Sequence, residues 1–260
     1  MNNENLLFTR IALTGALGGI GKVVLSRLNK LGAHVIAIDI LKQRDGEAAL
    51  REIAPNNSRY ISCDLSNDRD LANLQNTLEE DSYPDAIISL AGIVTSRNLE
   101  NQSNEDIQRV LDTNLTSQIK LSRDFIKIWK KNRVKSLIIF TSSWVDHNPW
   151  PSITPYAASK AGLVALSRGI ARENAVFGIR SNLISPGIVD VGMAAKQWRE
   201  ESDYKARAQR AIPLGRLQQP EEVADGIIFL LSQGASYMTG SNLLIDGGAS
   251  LYPMDPEELR

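Results

Sequence analysis

The sequence is poor in cysteine, in histidine and in long apolar runs. Cys63 is the only cysteine among 260 residues, so an internal disulfide is excluded and a reducing, cytoplasmic location is expected. No apolar run approaches the roughly 20 residues of a membrane-spanning helix, and the N-terminus lacks the pattern of a signal peptide. The 29 Lys and Arg nearly balance the 30 Asp and Glu, which argues against a nucleic-acid or anionic-membrane surface. No metal site is expected.

Short apolar runs alternate with helical patterns along the whole chain. Each run is bounded by Gly, Pro, Asp or Ser, which is typical of parallel strands buried on both faces. The alternation predicts an α/β fold in one domain spanning 1–260, a doubly wound parallel sheet of about seven strands with helices on both faces. The predicted strands are Arg10–Leu13, His34–Ile38, Arg59–Cys63, Ala86–Leu90, Ser136–Thr141, Arg180–Ile184 and Asn242–Ile245. The predicted helices include Gly21–Leu31, Asp68–Glu80, Asn104–Lys131, Tyr156–Phe177 and Pro220–Ser232.

Two segments fit the alternation less well. The polar, charged segment Val191–Pro213 is expected to form a mobile helical flap, and the tail 252–260 is expected at the surface. In doubly wound sheets, ligands bind beyond the carboxyl ends of the strands. The residues that directly follow each strand are therefore the candidate site.

A glycine-rich turn follows the first strand. Thr14–Gly21 reads TGALGGIG, and such glycines allow the backbone to approach a pyrophosphate bound at a helix N-terminus, although a plain strand-to-helix turn is the alternative. About 20 residues on, Asp39 ends the second strand, where a carboxylate would accept hydrogen bonds from an adenosine ribose and repel a 2′-phosphate. Position 17 is Leu, and Lys42 and Arg44 are expected to be solvated. NAD is therefore favoured over NADP, with a helix cap as the alternative role of Asp39.

The next two strand ends carry weaker candidates for nucleotide contacts. Asp64 follows the third strand and could accept a hydrogen bond from an adenine amino group, or merely cap the next helix. Gly92 follows the fourth strand, where a glycine would let the backbone pass beside the nucleotide.

The stretch 142–160, after the fifth strand, carries the candidate acid–base group. Tyr156 and Lys160 are four residues apart, hence on one face of a helix that Pro155 helps to begin. A phenol with a pKa near 10 is a poor acid–base catalyst at neutral pH, but a neighbouring ammonium lowers that pKa. The spacing alone is a weak indication, because it often arises by chance. Ser143 strengthens it with a hydroxyl able to hold a substrate oxygen, strand-end capping being the alternative.

Together the motifs resemble the short-chain dehydrogenase/reductase family in its compact form. They follow the family's order along nearly the whole chain. They are TGALGGIG (14–21), Asp39, Asp64-Leu65, Ala91-Gly92, Asn114 in DTNLT, Ser143, YAASK (156–160), Pro186-Gly187, PLGRLQQPEEVADGIIFLLS (213–232) and YMTGSNLLIDGG (237–248).

The resemblance implies an NAD-dependent oxidoreductase that interconverts a secondary alcohol and a ketone. The alternatives are an NADP-dependent carbonyl or 3-oxoacyl reductase and, more remotely, a non-catalytic nucleotide-binding regulator on the same fold. The family's tetrad maps to Tyr156 as general acid/base, Lys160 as the group that lowers its pKa and binds the nicotinamide ribose, Ser143 as the orienting hydroxyl, and Asn114 as the holder of a proton-relay water. The implied cofactor contacts are Gly15, Leu17, Gly19, Ile20, Gly21, Asp39, Asp64, Leu65, Ala91, Gly92, Tyr156, Lys160, Pro186, Gly187 and Ile188. A homotetramer is also implied.

The chain departs from the family pattern at three places. Ser89 and Leu90 replace two asparagines, and we expect altered packing there. Val191 replaces a threonine that binds the nicotinamide amide, which leaves backbone groups around Ile188 for that contact. Trp144 replaces a small residue, so the wall of the site should be bulkier.

The substrate is expected to lie against the loop after Ser143 and the flap at about 188–212. The loop clusters the polar residues Asp146, His147 and Asn148, although a loop histidine is more often structural or solvated. This composition favours a small polar hydroxy compound, such as a sugar or polyol. The candidate substrate contacts are Ser143, Trp144, His147, Trp150 and Trp198.

Overall fold

A computed structural model describes residues 6–80 and 83–251 of the chain. The end of the domain predicted to reach residue 260, with its surface tail, lies outside the described residues. Seven strands form one sheet in the order β3-β2-β1-β4-β5-β6-β7, and all six neighbouring pairs are parallel. The prediction of a single doubly wound sheet is therefore confirmed.

The strands lie where the apolar runs predicted them, with bounds that shift by one or two residues. Every residue of β5 is buried, as expected for a strand covered on both faces by helices. The strands are β1 (Arg10–Thr14), β2 (His34–Asp39), β3 (Ser58–Ser62), β4 (Ala86–Ser89), β5 (Ser136–Thr141), β6 (Ile179–Pro186) and β7 (Asn242–Ile245).

Helices cover both faces of the sheet. Within the described ranges, no helix is both long and apolar enough to cross a bilayer. The helices are α1 (Gly19–Lys30), α2 (Gln43–Ile53), α3 (Asp68–Glu80), α4 (Asn104–Leu111), α5 (Ser117–Asn132), α6 (Thr154–Asn174), α7 (Gly192–Glu200), α8 (Ser202–Ala211) and α9 (Pro220–Leu231). Helices α7 and α8 occupy the segment expected to be a helical flap.

The helix predicted over Asn104–Lys131 is present, but one of its turns is not α-helical. A π-helical turn at Asp112–Thr116 separates α4 from α5. Asn114, inside this turn, is buried and bonds to the backbone of Ile93 in the loop after β4. Helical periodicity does not reveal such an interruption, because the compensating contact comes from another part of the chain.

Two apolar clusters fill the space between the sheet and its helices. One cluster includes Val24 of α1 and Ile227 of α9, and the other includes Leu74 of α3 and Phe125 of α5. The second cluster contains the fully buried Trp129, whose Nε1–H donates to the Pro84 carbonyl at 2.7 Å. The sheet is thus held on both faces, and its carboxyl edge is left for the site.

We expect Gly46→Ala in α2 to destabilise the fold by about 1–3 kcal/mol, because overpacking displaces a neighbouring ring. A Cβ at Gly46 would lie 2.1 Å from the Tyr60 ring. The Tyr60 hydroxyl donates towards the carbonyls of Asp39, at 3.0 Å, and Leu41, at 2.7 Å. Urea unfolding measures the change.

The matched control is Gly169→Ala on the exposed face of α6, where a Cβ meets no atom within 4 Å. This substitution should stabilise the helix by about 0.5–1 kcal/mol. Equal unfolding midpoints for the two variants would contradict the packing of α2 on Tyr60.

Candidate active site

A cavity of about 620 Å³ opens at the carboxyl ends of β1 to β4. Its volume lies in the range of small-molecule and cofactor sites. The predicted cofactor residues on its wall are Gly15, Leu17, Asp39, Asp64, Leu65, Ala91 and Gly92. The first four strand ends are therefore brought together as the sequence predicts.

The turn after β1 lies directly against the end of β4. Gly15 has a φ of 65°, and a Cβ there would lie 2.7 Å from the backbone nitrogen of Ala91. Any larger residue would push these two segments apart. The turn thus forms a narrow cradle of backbone, which fits the phosphates of a dinucleotide followed by the N-terminus of α1.

The Asp39 carboxylate is held at the edge of this cavity by backbone donors. Oδ2 accepts from the Leu17 N–H at 2.9 Å, and Oδ1 accepts from the Ile40 N–H at 2.8 Å. Lys42 and Arg44 are exposed. Arg109 is the only basic residue among the described residues of the wall. The environment around Asp39 therefore favours a neutral ribose over a phosphorylated one.

Sequence reasoning missed several residues of the wall. Most directly follow a strand and could have been found by that rule, but Arg109 and Thr113 come from α4 and the π-helical turn. The missed residues are Gly18, Ile38, Ile40, Leu41, Cys63, Ser66, Leu90, Ile93, Arg109 and Thr113.

Cys63 is the one thiol on this wall. Burial raises the pKa of the Cys63 thiol to about 12, so the thiol is unreactive at neutral pH.

Ser143, Tyr156 and Lys160 meet beyond the end of β5. Pro155 lies in the first turn of α6, and one turn of this helix separates Tyr156 from Lys160. The Ser143 side chain lies near the Tyr156 hydroxyl and acts to lower its pKa. The Lys160 ammonium lies 5.4 Å from the centre of the Tyr156 ring. The strand end and the helix together fix two hydroxyls and a cation.

Burial dominates the acid–base properties of this group. Burial raises the pKa of Tyr156, and the Ser143 side chain opposes that shift. Burial also lowers the pKa of Lys160 to about 8. The sequence predicts a lowered pKa for Tyr156, and here the structure differs, because loss of water around the phenolate outweighs its stabilising contacts. The Lys160 ammonium donates to the Thr141 carbonyl at 2.7 Å.

Asn114 and Lys160 converge on the loop after β4. The Asn114 Oδ1 accepts from the Ile93 N–H, and its Nδ2 donates to the Ile93 carbonyl, both at 2.8 Å. A Cβ on Gly92 would lie 3.3 Å from Asn114 Oδ1 and 3.4 Å from Lys160 Nζ. The four residues of the predicted tetrad thus belong to one continuous site, at the inner end of the nucleotide cavity.

Asp146 lies beneath this site, although the sequence placed it on the substrate side. Its side chain has no exposed surface. Oδ2 accepts from the Ser142 hydroxyl at 2.7 Å and lies 3.2 Å from the Ser185 hydroxyl. Oδ1 pairs with the His147 ring. The Asp146 charge opposes the lowered pKa of Lys160 and adds to the raised pKa of Tyr156, so a buried carboxylate faces both groups.

The end of β6 closes the other side of the cleft. The Gly187 N–H donates to the Gln218 side chain at 2.9 Å, and the Ile188 carbonyl accepts from the Gln218 N–H at 2.9 Å. A Cβ on Gly19 would lie 2.7 Å from Val191 Cβ. Val191 therefore packs on the glycine turn.

Three of the predicted substrate residues share an apolar cluster with Tyr156. Trp144 is buried at its centre, and Trp150 and Trp198 pack against it. Trp144 and Trp150 meet edge to face with their ring centres 5.7 Å apart. The side chain of His147 is 64% exposed and turned towards Asp146, so it does not belong to this cluster. In the described part of the chain, no cluster of His, Cys, Asp and Glu is arranged to hold a metal ion.

Comparisons with known proteins agree with this geometry. A family model described as enoyl-(acyl carrier protein) reductase matches residues 15–250. A 3-oxoacyl-[acyl-carrier-protein] reductase from Rickettsia bellii is 34% identical over 91% of this chain and 94% of its own. A solved 4-hydroxyisoleucine dehydrogenase with NADH has a TM-score of 0.86 and 28% identity, covering 94% of this chain and 99% of its own. A solved structure from Beutenbergia cavernae with bound NADP has a TM-score of 0.87 and 29% identity, covering 95% and 99%. The chain belongs to the short-chain dehydrogenase/reductase family and is one of its oxidoreductases.

Proposed function

We propose that the protein is an NAD-dependent oxidoreductase that interconverts a secondary alcohol and a ketone on a small polar hydroxy compound. The observation that carries this proposal is the convergence of the Ser143 and Tyr156 side chains, with Lys160 one helical turn from Tyr156. The nicotinamide cofactor supplies or accepts the hydride when bound. The chain supplies position, shielding from water and proton transfer.

Each member of the tetrad has a separate task. Ser143 donates a hydrogen bond to the substrate oxygen, while the Tyr156 hydroxyl gives a proton in reduction and takes one in oxidation. The Lys160 ammonium stabilises the Tyr156 phenolate and binds the nicotinamide ribose. Asn114, fixed by Ile93, orders the water that relays the proton.

The cofactor would lie along the carboxyl edge of the sheet. Gly15, Gly19, Ile20 and Gly21 would hold the pyrophosphate, and Asp39 the adenosine ribose. Asp64, Leu65, Ala91 and Gly92 would enclose the adenosine half, with Leu17 beside Asp39. Pro186, Gly187 and Ile188 would support the nicotinamide, whose amide relies on backbone groups because Val191 offers no hydroxyl.

The substrate would enter beneath α7 and α8, which we propose as the substrate flap, at about 188–212. Trp144, Trp150 and Trp198 would form its wall, since all three belong to the cluster that includes Tyr156. His147 would lie at the rim of the substrate site, paired with Asp146. We also propose that the protein is cytoplasmic and that it is a homotetramer. The exposed apolar residues Phe229 of α9 and Leu244 of β7 support an interface between subunits.

An NADP-dependent 3-oxoacyl reductase is the second candidate. The 34% identity to the Rickettsia bellii reductase favours it. The environment of Asp39 opposes it, because a 2′-phosphate would meet a carboxylate already held by backbone N–H groups. A non-catalytic regulator is a weaker candidate, because Ser143, Tyr156, Lys160 and Asn114 are all present.

We expect Tyr156→Phe to reduce turnover by about 10²–10⁴-fold, because it removes the general acid/base. NADH binding, measured by fluorescence titration, should change less than threefold. The matched control is Tyr237→Phe, since Tyr237 is fully exposed and loses the same hydroxyl. Undiminished turnover by the Tyr156→Phe enzyme would refute the assigned mechanism.

We expect the protein to bind NADH at least about tenfold more tightly than NADPH, because Asp39 repels a 2′-phosphate. Asp39→Asn should reduce this preference by improving NADPH binding relative to NADH. Fluorescence titrations with both nucleotides measure the ratio. Asp64→Asn, on the adenine side of the same cavity, is the control and should leave the ratio unchanged. Tighter binding of NADPH by the unmodified protein would favour the 3-oxoacyl reductase.

We expect Asp146→Asn to move the alkaline loss of ketone reduction to lower pH. Reduction needs a charged Lys160 and a protonated Tyr156, and it is lost as pH rises through either pKa. The Asp146 charge opposes the lowered pKa of Lys160, about 8, and contributes to the raised pKa of Tyr156. Removing that charge therefore lowers both pKa values.

The pH dependence of kcat/KM measures this shift. The control is Asp246→Asn, because Asp246 is also a buried carboxylate but accepts from the Gly248 and Ser250 N–H groups at the end of β7. If both variants keep the alkaline limb of the unmodified enzyme, Asp146 has only a structural role.

A further inference from the structure

The half-buried Arg207 of α8 lies in the aromatic wall of the candidate substrate site. Its Cζ is 5.0 Å from the centre of the Trp150 ring and 5.9 Å from that of Tyr204. Trp150 packs against Trp144, the neighbour of Ser143. Arg207 is thus linked through the Trp150 ring to Trp144, which directly follows Ser143 in the sequence.

The Arg207 guanidinium has no anionic partner among the described residues. Its Nε is buried without a hydrogen-bond partner, and no carboxylate in the described ranges forms an ion pair with it. Stacking on aromatic rings compensates only part of the hydration that the buried Nε–H loses. Buried donors left unsatisfied in a folded protein are rare and call for an explanation, such as a ligand.

We propose that Arg207 binds a carboxylate of the substrate, so that the hydroxy compound is a hydroxy acid anion. This inference rests on the proposed function, because it names the substrate class of the same site. A guanidinium offers a planar fork of N–H donors that matches the two oxygens of a carboxylate.

A single carboxylate fits this cation better than a phosphate does. Lys205, two residues before Arg207 in α8, lies with its Nζ 5.7 Å from the centre of the Trp198 ring and not on the Trp150 ring. The single charge of Arg207 does not balance the two negative charges of a phosphate. A monocarboxylate is balanced by Arg207 alone.

Calorimetry on the enzyme saturated with NADH tests this inference without turnover. The probes are butanoate, pentanoate and hexanoate, each paired with its primary amide, and inorganic phosphate. The unmodified enzyme should bind at least one carboxylate about tenfold more tightly than the amide of the same length. Arg207→Gln should bring that ratio to about one, and Arg207→Lys should restore part of it. Lys205→Gln, the matched control on the same helix, should retain the full ratio.

Three results would overturn the inference. The first is that the unmodified enzyme binds carboxylates and amides equally, or binds neither. The second is that the carboxylate-to-amide binding ratio survives Arg207→Gln. The third is that phosphate binds more tightly than every carboxylate. Turnover of hydroxy acids with NAD is measured separately. Carboxylate binding without turnover of any hydroxy acid would count against the proposed function, whereas turnover of neutral alcohols without carboxylate binding would count only against the role of Arg207.

Discussion

The parallel register of β1, β4, β5 and β6 is the constraint on which the site depends. Thr14 pairs with Ser89, Ser89 with Phe140, and Thr141 with Ile184, so neighbouring strands end at nearly the same level. The loops that leave these ends have to share one edge of the sheet. Gly15 and Ala91 become neighbours for this reason, although they are far apart in the sequence. Slipping one strand by a single residue would turn its buried face towards the wrong helices.

Buried charge at this edge is tolerated because each charged group has a specific partner. The Lys160 ammonium donates to the Thr141 carbonyl, and the Asp146 carboxylate accepts from Ser142. An isolated buried ion would be strongly unfavourable, and the Asp146 charge favours the charged form of Lys160 in addition to these hydrogen bonds. The same burial opposes ionisation of the Tyr156 phenol. Burial thus keeps the phenol protonated at neutral pH, and the neighbouring cation favours the phenolate that forms when the proton passes to a bound carbonyl.

The sequence predicted the sheet and its strand ends well, because periodicity is a local property of the chain. The tetrad implied by the family resemblance stays a prediction, and its four residues lie at one edge of the sheet. The sequence did not predict the π-helical turn around Asn114, which exists because the amide bonds to the Ile93 backbone across the site. It also placed Asp146 beside the substrate, since a polar loop residue gives no local sign that serines of β5 and β6 will surround it. Arg109 and Arg207 were missed for the same reason. Each comes from a helix whose docking on the sheet is decided by tertiary contacts.

The charges along the cleft suggest how the site orients its ligands. Asp39 presents a carboxylate at the nucleotide end, where hydroxyl groups of a ribose can donate to it. Arg207 presents a guanidinium at the aromatic end, where it meets no anion of the described protein. An anionic group is thus repelled from one end and attracted to the other, while the Asp146 charge acts on Lys160. A dinucleotide with an unmodified ribose and a substrate with a carboxylate would then each have one favourable position. The hydroxyl that reacts would be brought to Tyr156 by groups that take no part in the proton transfer.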